Sequence, residues 1–199
     1  MAELSGAPAP LPSLTLSQIQ AWDTEHLDIA ATHWTSAANR WRDGFTAVNS
    51  GITRPAGTAW EGPAADAAAL RTDRDRVQVL GLVDRLHEAS TIARTGAADL
   101  QTAKSRALTS VDNAQRAGFA VSEDLSVRDT LTVVSKPLRL IRDMQARVFA
   151  ADIRAQSTIL AATDENIASK LRTITASLTG FEFRESPIPQ EPPQIPFPP

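Results

Sequence analysis

From Leu27 the apolar positions step by three and four through Ala30, Trp34, Ala37, Trp41, Phe45 and Val48 to Ile52. That spacing puts them on one helix face, with Ile19, Trp22 and Ile29 as a neighbouring ridge. It predicts a first helix over about 15–50, opened by Thr15 as cap. Gly51 followed by Ile52 has the form of a C-cap, a left-handed glycine whose apolar neighbour folds back on the last turn. After a loop at 53–58 comes Ala59-Trp60-Glu61-Gly62-Pro63, which reads as a tight reversal. Gly62 suits an N-cap and Pro63 the first helical position, where a missing N–H costs nothing. Asp66 then sits in the first turn, on the favourable side of the helix dipole.

The second helix is expected from Pro63 to about Ala117, with Val79, Leu82, Leu86, Ala89, Ala93, Leu100, Ala107, Val111 and Ala114 as its stripe. Arg71 and Asp75 stand at i,i+4 on a solvated face. Gly96 is an interior glycine costing about 1 kcal/mol relative to alanine, a cost that a close helix crossing would explain. Gly118-Phe119 stops this helix. Residues 119–128 alternate and turn like a very short β-hairpin. A third helix follows, starting at Asp129 or at Pro137 and ending near Thr179. It carries one stripe of Leu138, Ile141, Val148, Ala155, Ile159 and Ala162, and a second of Leu160, Ile167, Leu171, Ile174 and Leu178. Beginning at Asp129 would place Pro137 inside the helix, as a kink.

The expectation is therefore all-α: an elongated antiparallel bundle of three long helices, with a Trp-Xaa-Gly hairpin turn and a small β-like connection near 119–128. The second helix alone would span about 80 Å. Short connections make consecutive helices antiparallel neighbours, so the end of the third, near Phe181, should return to the pole of Trp60. Residues 1–13 read as a disordered N-terminal segment, 14–180 as the helical domain, and 181–199 as a Pro-rich linker or tail.

Composition narrows the function classes. Aromatic residues make up only 5% of the chain against 42% hydrophobic residues, so much of the core must be alanine packed at close range. The net charge of −3 arises from interspersed signs and leaves no basic footprint for nucleic acid. The N-terminal stretch lacks the basic and apolar regions of a secretory signal peptide, and no apolar run is long enough to cross a bilayer. His26 and His33 lie two turns apart and His87 is the third histidine, a set read as surface or partly buried residues with no metal site. No acid/base pair, nucleophile motif or phosphate-binding glycine loop is present. Residues 1–199 are thus expected to be non-catalytic, without cofactor or metal. Trp22, Trp34 and Trp41 are expected to anchor the core and interfaces.

Trp60-Glu61-Gly62 between two Ala-rich amphipathic helices resembles the Trp-Xaa-Gly superfamily, the early-secreted-antigen-like substrates of type VII (ESX) secretion in mycobacteria. The surrounding Gly57-Thr58-Ala59 and Pro63-Ala64-Ala65-Asp66-Ala67 look like that family's Ala/Gly-rich setting. The resemblance covers about residues 14–118, and the remaining helix and tail look like its longer, fused members. It implies a secretion-targeting and interaction domain preceding an effector, secreted or displayed at the cell surface by a signal-peptide-independent route. The implied partners are a type VII secretion ATPase or chaperone, a small Trp-Xaa-Gly protein, or a second copy of the chain. The alternative it leaves is a structural or assembly protein. The family also carries a Tyr-x-x-x-Asp/Glu export motif. This chain has no tyrosine, and Phe181 with Glu185 stands in that place, while Phe119 and Glu123 share the spelling at the opposite pole. The expected recognition residues are Trp60, Gly62, Phe181 and Glu185.

Overall fold

The structure, a computed structural model, describes residues 14–132 and 135–178. Within them the chain is all-α with one small sheet. Helices α1 (Leu16–Ala21) and α2 (Glu25–Thr53) lead through a 3-10 turn (Pro55–Gly57) to α3 (Pro63–Arg116). Strands β1 (Phe119–Val121) and β2 (Val127–Asp129) pair antiparallel with Ala120 opposite Arg128, and α4 (Lys136–Ala176) follows.

The axis of the molecule is α3, against which α2 and α4 both pack. Its expected stripe is buried from Val79 to Ala114. Small residues complete the same surface, among them Ser90, Gly96, Ala97 and Ala103. Short side chains let both neighbours come close. A Cβ built on Gly96 would lie 2.8 Å from Cγ2 of Ile167 on α4, so any larger residue would force the Ile167 side chain or the crossing to shift. On the α2 side, Ser90 donates its hydroxyl to the Ala31 carbonyl at 2.9 Å and meets the Thr35 hydroxyl at 2.8 Å. A buried polar group is thereby satisfied between two helices.

Several boundaries differ from the sequence reading. The first helix is broken at residues 22–24. Trp22 leaves helical geometry at φ −57, ψ 124, the Asp23 carboxylate accepts from the Glu25 N–H at 3.0 Å, and Lys104 of α3 donates to the freed Trp22 carbonyl at 2.7 Å. Gly51 is not a left-handed cap, because α2 continues through it to Thr53. The helix ends there since Arg54 precedes a proline, which disfavours α geometry; Arg54 sits at φ −139, ψ 68. Asp129 closes β2 instead of capping a helix, and α4 begins at Lys136, so Pro137 lies in its first turn and produces no kink.

Of the two third-helix stripes, only the second reaches the core. Leu160 and Ile167 are buried, with Leu171 packed against the same core. Leu138, Ile141, Val148 and Ile159 of the other stripe are exposed, because α4 turns its Ala146, Ala150 and Ile153 side inward.

At the hairpin pole, Arg142 holds four elements together. Its Nε bonds Asp129 at 2.7 Å, its Nη2 reaches the Ala117 and Gly118 carbonyls at 3.2 and 3.1 Å, and its guanidinium lies 4.2 Å above the Phe119 ring. The charge thus also neutralises the C-terminal end of the α3 dipole. The hydrogen bond from Arg142 holds the Asp129 carboxyl below its ordinary value.

Gly96→Ala should gain about 1 kcal/mol of helix propensity and lose about 1–3 kcal/mol to overpacking, a net destabilisation. Urea unfolding of Gly96→Ala, Ile167→Ala and the double variant is expected to show a double-mutant loss smaller than the sum, since the smaller side chain admits the new methyl. Additive losses would contradict a direct contact.

Candidate interaction site at the hairpin apex

The α2–α3 connection is built by backbone constraints. Pro55 ends α2, and Ala56 and Gly57 turn the chain at φ 53 and 83. Gly57 and Thr58 donate to the carbonyls of Arg54 and Pro55 at 3.0 and 3.1 Å. Gly62 precedes Pro63 at φ 107, ψ 175 and caps α3, with its carbonyl accepting from Asp66 N–H at 3.1 Å. That φ is open to glycine and strained for any residue with a Cβ. Trp60 lies between these turns, outside both core clusters, and is 42% exposed. A large apolar ring with a polar N–H, presented at an exposed turn, is suited to contact with a partner.

The apex stands clear of α4. The Ser177 carbonyl just past the end of α4 is bonded by Arg85 at 2.9 Å, and Leu178 packs on the cluster of Ala38, Val79, Val83 and Leu86. From Arg85 back to Pro63, α3 runs about 33 Å further. The expectation that the third helix returns to the pole of Trp60 is therefore not met, since α4 ends partway along α3. Over this projecting portion Trp41, Val48, Leu70 and Val77 are exposed by 46 to 71%. Trp41 and Val48 line an apolar groove of about 380 Å³ with Phe45, Val79 and Leu82. Sequence reasoning assigned Trp41 to an anchoring role, and the structure leaves it on this groove, whereas Trp22 and Trp34 pack on the core.

Of the other expected site residues, Phe181 and Glu185 lie outside the described residues. Phe119 and Glu123, which share their spelling, have structural employment at the far pole. Phe119 is buried against Phe149, with ring centroids 5.4 Å apart. Glu123 accepts from the N–H and hydroxyl of Ser17 and so fixes the start of α1 on the hairpin loop. Those hydrogen bonds lower the Glu123 pKa. Among the described residues no three His, Asp or Glu side chains form a metal-sized cluster. His26 and His33 are exposed on α2. His87 Nε2 accepts from Arg42 at 2.8 Å, the acceptor role following because guanidinium only donates. No helix among the described residues is long and apolar enough to cross a membrane.

The chain is similar to mycobacterial proteins. The uncharacterized proteins Rv2077c of Mycobacterium tuberculosis and Mb2102c of Mycobacterium bovis are each 39% identical to it over 174 residues, 87% of this chain and 53% of theirs. The chain thus spans about half the length of these curated relatives. No family model and no solved structure matches it.

Trp60→Ala should change unfolding free energy by less than about 1 kcal/mol, as expected of a surface site. Gly62→Ala should cost about 1–3 kcal/mol through backbone strain. Urea denaturation checks both; a Trp60→Ala loss as large as that of a core residue would mean the indole is packed.

Proposed function

We propose that residues 1–199 act as a non-catalytic export and partner-recognition domain of a type VII (ESX) substrate. The domain is read as folded cargo through its Trp60–Gly62 turn by a secretion ATPase or chaperone. The observation that carries this reading is the exposed Trp60 at the apex of a helical hairpin that projects past α4. The Trp60 ring packs in neither core cluster and so stays open to a partner, with the exposed Leu70 and Val77 on the same projecting portion. The exposed Trp41 and Val48 offer a surface below the apex for a small Trp-Xaa-Gly partner. Phe181 and Glu185 are the second export determinant in this reading. Mycobacterial relatives suit this reading, and their greater length suits an export domain joined to a further effector segment. The protein would then be secreted or surface-displayed without a signal peptide.

Secretion assays in a mycobacterial host test it. Trp60→Ala, and Phe181→Ala with Glu185→Ala, are expected to stay folded in the cell and disappear from the culture filtrate. Normal export of the folded variants would overturn the proposal.

A second reading, a structural or assembly protein, is favoured by the outer face of α4. Leu138, Ile141, Met144, Val148 and Ile159 are 44 to 68% exposed along it, a stripe that another helix or a second copy would cover. Light scattering of the purified chain is expected to show a dimer or larger species under this reading. A clean monomer that binds no small hairpin partner would contradict it.

A further inference from the structure

Where α4 passes β2, a groove of about 590 Å³ opens between them. Arg128 of β2 and Arg139, Arg147 and Arg154 of α4 line it, over Ala146 and Ala150. Arg128, Arg139 and Arg147 have no hydrogen-bond or ion-pair partner among the described residues. Arg154 acts on Asp124 only through its field. Of the two carboxylates in the groove, Asp129 is committed to Arg142, leaving Asp143 against four guanidinium groups. This positive concentration occurs in a chain whose net charge is −3.

A second observation comes from the backbone of the same wall. Thr130 N–H donates to Gly118 C=O and Ser122 N–H to Ser126 C=O. In an antiparallel ladder these bonds alternate, so Ala120 and Arg128 form the hydrogen-bonded pair between them. Val127 and Asp129 therefore turn their N–H and C=O groups away from β1, and these groups have no partner among the described residues. The outer side of β2 is a free strand edge beside a row of unpaired arginines.

We propose that this groove binds an extended acidic peptide, added as a third strand along β2, with its carboxylates gripped by Arg128, Arg139, Arg147 and Arg154. Alternating donors and acceptors on a strand edge match a peptide backbone, and guanidinium groups match carboxylates in paired hydrogen bonds. Along α4, Arg139 to Arg147 is about 12 Å and Arg147 to Arg154 about 10 Å, or three to four residues of extended chain. A phosphate polymer would use the charges and leave the strand edge unpaired. The inference is independent of the role assigned to Trp60.

Fluorescence anisotropy on the full chain tests it, using a labelled ten-residue peptide with Glu at alternate positions, so that all its carboxylates share one face of the strand, and Val or Thr between. Binding is expected to weaken as salt rises, and Arg147→Glu with Arg154→Glu should weaken it about tenfold or more. Arg76→Glu, on an exposed stretch of α3 away from the groove, should leave it unchanged. Two versions of the peptide, N-methylated on alternate amides in the two possible registers, separate strand addition from charge attraction. One register should lose about tenfold in affinity, since it blocks the amides that face β2, and the other little. The proposal is overturned if both methylated peptides bind like the parent. It is equally overturned if the arginine reversals have no effect while circular dichroism is unchanged, or if inorganic polyphosphate of equal charge binds as tightly as the peptide.

Discussion

Everything in this fold depends on α3 having two buried sides. A helix that packs one neighbour needs one apolar stripe, whereas α3 must present a surface to α2 and another to α4 along the same turns. It does so with alanine, serine and glycine between larger anchors such as Leu86 and Leu100. The contact of Gly96 with Ile167 shows how little room is left between α3 and α4. Close approach compensates for the scarcity of aromatic residues, because dispersion contacts between backbones and short side chains accumulate over many turns.

The two ends of α3 are treated differently, and the difference separates structure from display. At the C-terminal end, the guanidinium of Arg142 satisfies the last carbonyls, pairs Asp129 and covers Phe119. Glu123 ties α1 to the same hairpin. These groups are consumed by folding, while the arginines of the neighbouring groove are not. At the N-terminal end the turn is fixed by proline and glycine, and the ring of Trp60 is left partly in solvent. The same contrast distinguishes the two Phe-x-x-x-Glu stretches in the part that the structure describes, where Phe119 and Glu123 both have internal partners.

Much of the architecture was legible from the residues. The stripe of α3 was readable because both of its sides are buried, so a rotation error of one residue still lands on the core. Gly62-Pro63 and Gly118 marked real helix ends because the backbone there adopts positive φ or needs no N–H. The short hairpin at 119–128 was visible from its alternation and turn residues. For α2 and α4 the reading held in part: Leu27, Leu160 and Ile167 are buried, whereas Trp41, Val48 and the stripe from Leu138 to Ile159 are exposed, since an edge helix can carry apolar residues on a face that the fold leaves open. Gly51 misled because the stop is set by Pro55, about one turn later, and α2 runs through the glycine to Thr53. The candidate site was half legible: the Trp60 turn is where the sequence puts it, but the length of α4 relative to α3 depends on the register of packing. That register is set by contacts such as Arg85 with Ser177, which no local pattern encodes. The arginine groove escaped notice because its members come from a strand and from a helix far apart in sequence.

Function in this account follows from one geometric fact, that α4 stops beside Arg85 and leaves the Trp60 end of the hairpin as a two-helix projection. Amide hydrogen exchange along α3 measures it directly. Amides at 86–114, flanked by both neighbours, should exchange only with global unfolding, whereas those at 67–78 should exchange faster through local opening. Uniform protection along the whole of α3 in the isolated chain would contradict a projecting apex.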